Sequence, residues 1–264
     1  MCRTYTAGAM VGQSALWTDL AKAWRACLAA PMLPILSVLL ILPAEAPSLF
    51  PSASEQGARD ATTLHGLPLA LFGIGWLGTQ RIWYQRLFEG QTLSSAEVWQ
   101  LSKKFFGRYL VLGLIVAIPI FLGLLGMVAQ VALTGEPHHS FPFPIWWYPF
   151  VIAYGFLTDV LLTFVTSALA YTTNRVRIAW SIGTKMIKET WPASAAYTFV
   201  PPITLLALAT LNPIRLPASV VVLLAVISTL VGLLVKGAIA AFYLRQPVEP
   251  RAFITVQRST PPTP

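Results

Sequence analysis

The chain has 264 residues, 56% of them hydrophobic and only 11% charged, which excludes a soluble domain with about a quarter of its residues charged. The formal net charge of +8 sits at the borders of apolar stretches, so it is a topology signal and an attraction to anionic lipid at the cytoplasmic face, with no nucleic acid implied. Cys2 and Cys27 both precede or open the first apolar stretch, an arrangement that excludes a disulfide framework.

The sequence predicts an all-α, polytopic integral membrane protein with six transmembrane helices and amphipathic helices on the cytoplasmic side. The apolar stretches cover about 27–44, 67–88, 109–134, 149–172, 192–211 and 216–244, most of them near the roughly 20 residues that a spanning helix needs. Threading them alternately places every Lys and Arg except Arg59 and Arg215 on the side of the N-terminus. Basic residues in short loops stay inside, so the expected site is the cell membrane with both termini cytoplasmic. Residues 1–26 read as a cytoplasmic amphipathic segment, 27–244 as the membrane domain and 245–264 as a Pro-rich, disordered tail. Arg3, Lys22 and Arg25 before an apolar run ending Ala44-Glu45-Ala46 mimic a secretory signal. The long charged lead and Pro47 favour a retained span.

In chain order, Trp17 and Lys22 open the first unit, and Pro31 and Pro34 follow them. The loop 45–66 is polar, rich in Pro and Ser, and reads as poorly ordered. Ser94-Ser95-Ala96-Glu97 fits a capping box, with Leu93 and Val98 as the hydrophobic staple. Val98, Leu101, Phe105 and Tyr109 then recur on one helical face, opposite Gln100, Lys104 and Arg108. This predicts a helix lying in the headgroup plane before the chain turns into the bilayer. The aromatic segment 141–150, with three prolines, reads as an irregular interfacial anchor. Ile178, Ile182 and Met186 predict a third amphipathic helix, with Arg177, Lys185 and Lys188 on its polar side.

Trp-x4-Lys occurs at Trp17, Trp99 and Trp180, spaced by 82 and 81 residues. The spacing predicts a three-fold repeat of one amphipathic helix and two spans. Three pairs of spans is similar to the layout of mitochondrial carriers. Their Pro-x-Asp/Glu-x-x-Lys/Arg signature is absent after Pro31, Pro34, Pro119 and Pro201, so the chain is not placed with them.

Asp159 is the one carboxylate inside an apolar stretch. It lies ~15 Å deep, near the middle of a ~30 Å core. A central Asp costs about 2.5–3.5 kcal/mol, less than the apolar residues around it return, so the helix inserts but the carboxylate should avoid lipid. Gly155, Asp159, Thr163 and Thr166 share a stripe suited to a helix interface. Depth favours Arg81 over Lys236 as its intramembrane partner. Pro119 and the pair Pro201-Pro202 are candidate helix breaks of the kind that line transport sites.

The inner surface offers Trp99, Lys103, Lys104, Arg108, Trp180, Lys185 and Lys188 to lipid head groups. His138 and His139 beside Glu136 do not make a metal site without further ligands. No zinc, nucleophile-elbow or phosphate-loop motif occurs, and neither a cofactor nor a catalytic group is expected. The expected role is a non-catalytic transport subunit or accessory component of a membrane assembly, with the bilayer and other membrane or ATPase subunits as partners. A membrane enzyme acting on lipid-linked phosphate and a purely structural membrane protein are the alternatives.

Overall fold

The computed structural model describes residues 10–41, 55–134, 147–200, 202–203 and 218–246, and every regular element among them is helical. The helices are α1 (Met10–Ala29), α2 (Met32–Ile41), α3 (Glu55–Phe88), α4 (Ser95–Thr134), α5 (Trp147–Tyr171), α6 (Val176–Thr190) and α7 (Ala218–Arg245). A short helical segment covers 195–200.

Among the described residues, three helices are long and apolar enough to cross a membrane, and a fourth is reached only if the bent pair α1–α2 counts as one span. The expectation of six spans is therefore corrected, and each departure has a physical cause. Pro31 lacks the N–H that would carry α1 onward, and α1 and α2 meet there at 92°. Pro34 then occupies the first turn of α2, where no donor is needed. With 10 residues, α2 is ~15 Å long, half of a ~30 Å core. In α3 the polar triplet Thr79-Gln80-Arg81 interrupts the apolar run. The stretch from 67 to 78 spans only ~18 Å. Pro201 and residues 204–211 of the fifth predicted span lie outside the described residues, as do His138, His139 and residues 247–264.

Among the described residues no two-span unit recurs three times. The first Trp-x4-Lys helix turns sharply into a half-length helix, the second runs unbroken into a span, and the third ends at Trp191. The helices instead pack most extensively as α3 with α4, α5 with α6, and α1 with α7. Small residues permit this. A Cβ at Gly183 on α6 would lie 2.6 Å from the Val165 backbone nitrogen on α5, and Ala23 of α1 and Ala238 of α7 are wholly buried.

The capping box forms as expected: Ser94 N–H donates to Glu97 Oε2 at 2.8 Å, and Glu97 N–H donates to Ser94 Oγ at 3.3 Å. The helix it starts does not turn at the headgroups. Its 40 residues make a rod of ~60 Å, twice the core thickness. The first four turns carry Glu97, Lys103, Lys104 and Arg108 and pack Val98, Phe105 and Tyr109 inward. Beyond Arg108 the face turns outward, with Leu114, Ile118, Phe121, Leu122 and Val128 all exposed.

Two further expectations are revised. The start of α3 at Glu55 places 55–66 in a helix, where a loop was predicted. The aromatic segment becomes helical from Trp147, because Pro149 falls in the first turn and displaces no hydrogen bond. On α6 the buried face is Ala179, Gly183 and Met186, while Ile178 is exposed.

Candidate functional site: a polar belt between the helices

Arg81 is buried on α3 and is held by α5. Its Nη1 donates to Ser167 Oγ at 2.8 Å and its Nη2 to Thr166 Oγ1. Both hydroxyls are pre-oriented, because their own protons go to backbone carbonyls one turn back. Thr166 donates to Leu162 O at 2.8 Å, and Ser167 donates to Thr163 O at 3.3 Å. That leaves their lone pairs aimed at the guanidinium. Two phenols close the same crossing: Tyr171 donates to Arg81 O and Tyr109 to Thr166 O, each at 2.7 Å.

A second chain of bonds starts at Ser37 on α2. Ser37 Oγ donates to Leu33 O at 2.8 Å and accepts from Trp76 Nε1 at 3.3 Å and Gln80 Nε2 at 3.0 Å. A hydroxyl has one proton and two lone pairs, so Ser37 is saturated. Gln80 Oε1 accepts from Lys236 Nζ at 3.4 Å, which carries the chain to α7. Tyr84 adds another α3–α7 tie by donating to Leu233 O at 2.9 Å. Thr172 and Tyr243 share a 2.6 Å hydroxyl contact between α5 and α7.

Asp159 stands apart from Arg81. It is exposed on α5, and it is seven residues, or ~10 Å, from Thr166. Lys236 is the cation whose field reaches it. Among the described residues no carboxylate lies at ion-pair distance from Arg81. Of the predicted stripe, Gly155 and Asp159 are exposed, Thr163 is buried and Thr166 is partly buried.

Pro119 sits inside α4 without ending it. Its ring frees the carbonyl four residues back, and Tyr154 of α5 donates to the adjacent Val116 O at 2.6 Å. Pro202 is buried in a helical position.

At the basic end, Lys103 Nζ lies 4.9 Å from the centroid of the Trp99 ring, and the Arg108 guanidinium lies 5.2 Å from that of Phe105. Lys185 pairs with Glu189 at 3.6 Å, both exposed. Lys104, Trp180 and Lys188 are exposed. Sequence reasoning missed Asp19. It is 2% exposed, accepts from the Tyr197 hydroxyl at 2.6 Å and pairs with Arg245. Its one signal was being the lone acid on a basic amphipathic helix.

Among the described residues, no group of three His, Cys, Asp or Glu converges to hold a metal ion. No protein-family model, curated protein or solved structure matches this chain.

Proposed function

We propose that the chain is a non-catalytic component of a membrane assembly, a transport subunit or accessory protein, whose partner covers Asp159. The basic ends of its helices face the cytoplasm, where short basic loops are retained. The observation that carries the reading is an exposed carboxylate midway along a helix long and apolar enough to cross a bilayer. Lipid contact there costs about 2.5–3.5 kcal/mol, and intramembrane charges face protein or a water-filled path. The other polar side chains of the belt are engaged in holding helices together, so Asp159 is the group left for an outside partner.

The enzyme alternative needs a free base at the basic end. Glu97 is committed to its cap, Glu189 to Lys185, and Glu89 accepts from Gln85, so no observation favours it.

The test uses the full chain in its native membrane, with a photo-crosslinker at Ile152, an exposed residue two turns from Asp159. Crosslinking to another polypeptide or to a second copy is expected, and Asp159→Asn should lower that yield several-fold while leaving abundance unchanged. Crosslinks to lipid alone, with no effect of Asp159→Asn, would refute the reading. A cysteine at Gln91, in the turn between α3 and α4, should be labelled only from the cytoplasmic side. Labelling from outside would reverse the orientation.

A further inference from the structure

Asp159 is exposed on α5, and intramembrane charges do not face lipid. Until a partner docks, the chain itself has to cover this carboxylate. Arg81 is not free to do so. Both of its Nη groups are held by Ser167 and Thr166, and Thr166 is ~10 Å along α5 from Asp159. Lys236 of α7 is only half-buried. Among the described residues its ammonium has one acceptor, Gln80 Oε1 at 3.4 Å, longer than the roughly 2.7–3.2 Å usual for such bonds. An ammonium has three donors, so this one is under-used.

The helices set the two opposite charges at one level. α5 and α7 touch through Phe164 and Phe242, whose ring centroids are 5.6 Å apart, and again through the hydroxyls of Thr172 and Tyr243 at 2.6 Å. The contacts follow the same order in both helices, so the two run the same way. Counting back from the ring contact, Asp159 lies ~7.5 Å and Lys236 ~9 Å along its own helix. They also share a side. Asp159, Thr163 and Thr166 form one stripe of α5, whose Thr166 meets Arg81 of α3, and Lys236 reaches Gln80, the residue beside Arg81. Asp159 and Lys236 lie in each other's field without closing to an ion pair. A lysine stem is flexible and reaches ~6 Å.

We propose that Lys236 guards Asp159: without a partner its ammonium swings from Gln80 Oε1 to the Asp159 carboxylate, and a docking partner takes the carboxylate and returns Lys236 to Gln80. With Lys236 on Gln80 and Asp159 bare, the arrangement seen is the one open to a partner. The guard makes docking a competition for one carboxylate, so the site is covered when the chain is alone. Regulation by Lys236 rests on the assembly reading, whereas its pairing with Asp159 does not.

Two measurements on the full chain test this. The first is thermal unfolding of the purified, partner-free protein in lipid nanodiscs. Lys236→Gln should lower the melting temperature of the parent chain by about 2–4 °C, the scale of one interhelical contact in a chain of this size. In an Asp159→Asn background the same change should cost less than about 1 °C, because only the weak bond to Gln80 is left to lose. An equal loss in both backgrounds overturns the pairing, and the guard with it. The second is the crosslinker at Ile152 in the native membrane. Lys236→Gln removes the competitor and should raise the yield of protein crosslinks several-fold, opposite to Asp159→Asn. An unchanged or lower yield, with Asp159→Asn still reducing it, overturns the guard and spares the assembly reading. Crosslinks to lipid alone sink the assembly reading and the regulatory role of Lys236 together, whatever the melting shows. Should Lys236→Gln fail to fold, Lys236→Met, which keeps the stem and drops the charge, is read in the same way.

Discussion

Arg81 shows how a buried cation is accommodated without a carboxylate at its side. Ser167 and Thr166 spend their protons on their own helix and present lone pairs to the guanidinium. The bond therefore costs little reorganisation. Interhelical hydrogen bonds in membrane proteins average about 0.6 and reach about 1.7 kcal/mol, so a double-mutant cycle of Arg81→Gln with Ser167→Ala should return a coupling in that range by thermal unfolding in detergent. Strict additivity would mean that the contact contributes nothing. Arg81 draws notice in the sequence, because a charge in an apolar run stands out. Its hydroxyl partners were not. Depth and sign point to Asp159, whereas Ser and Thr are common at helix interfaces in membranes and carry no charge to mark one pair among many.

At the scale of elements, local signals proved the most readable. Ser94 to Glu97 named the start of α4 because a cap is decided within four residues. The break between α1 and α2 lies at Pro31 and Pro34, which the reading of 27–44 as one span had placed inside it. Whether a proline bends or ends a span depends on what packs around it, and Ser37 is fixed by Trp76 and Gln80 of α3, far away in sequence. Close packing of α3 on α4 likewise hides in a glycine. A Cβ at Gly75 would collide with the Ser102 carbonyl oxygen, a backbone atom that cannot rotate away, whereas nothing lies within 4 Å of one at Gly107. Gly75→Ala should destabilise by about 1–3 kcal/mol. Gly107→Ala should be neutral or stabilise by up to about 1 kcal/mol, through helix propensity. Equal melting temperatures for the two variants would show that the helices do not approach as described.

For the molecule as a whole, composition correctly announced helices apolar enough for a bilayer, and counting apolar runs overstated how many are long enough to cross. The count fails because α3 is amphiphilic for a reason internal to the protein: Thr79, Gln80 and Arg81 serve the belt rather than lipid. Closure between α1 and α7 was also invisible, since 226 residues separate Asp19 from Arg245. Asp19 is buried, while Arg245 keeps 47% of its side chain exposed, so solvent weakens the pair. Losing the negative charge leaves Arg245 unpaired, with a neutral amide oxygen as the acceptor it shares with Tyr197. Asp19→Asn should cost about 1–3 kcal/mol and speed amide hydrogen exchange in α1 above the other helices. Unchanged protection of α1 would rule out this tie.

That tie has a consequence for biosynthesis. The cation that neutralises Asp19 emerges from the ribosome only at the last residue of α7, long after α1 has been made. Until then Asp19 lacks the cation that closes α1 on α7. A nascent chain stalled short of Arg245 should therefore keep α1 open to protease, and α1 closes only once α7 is complete.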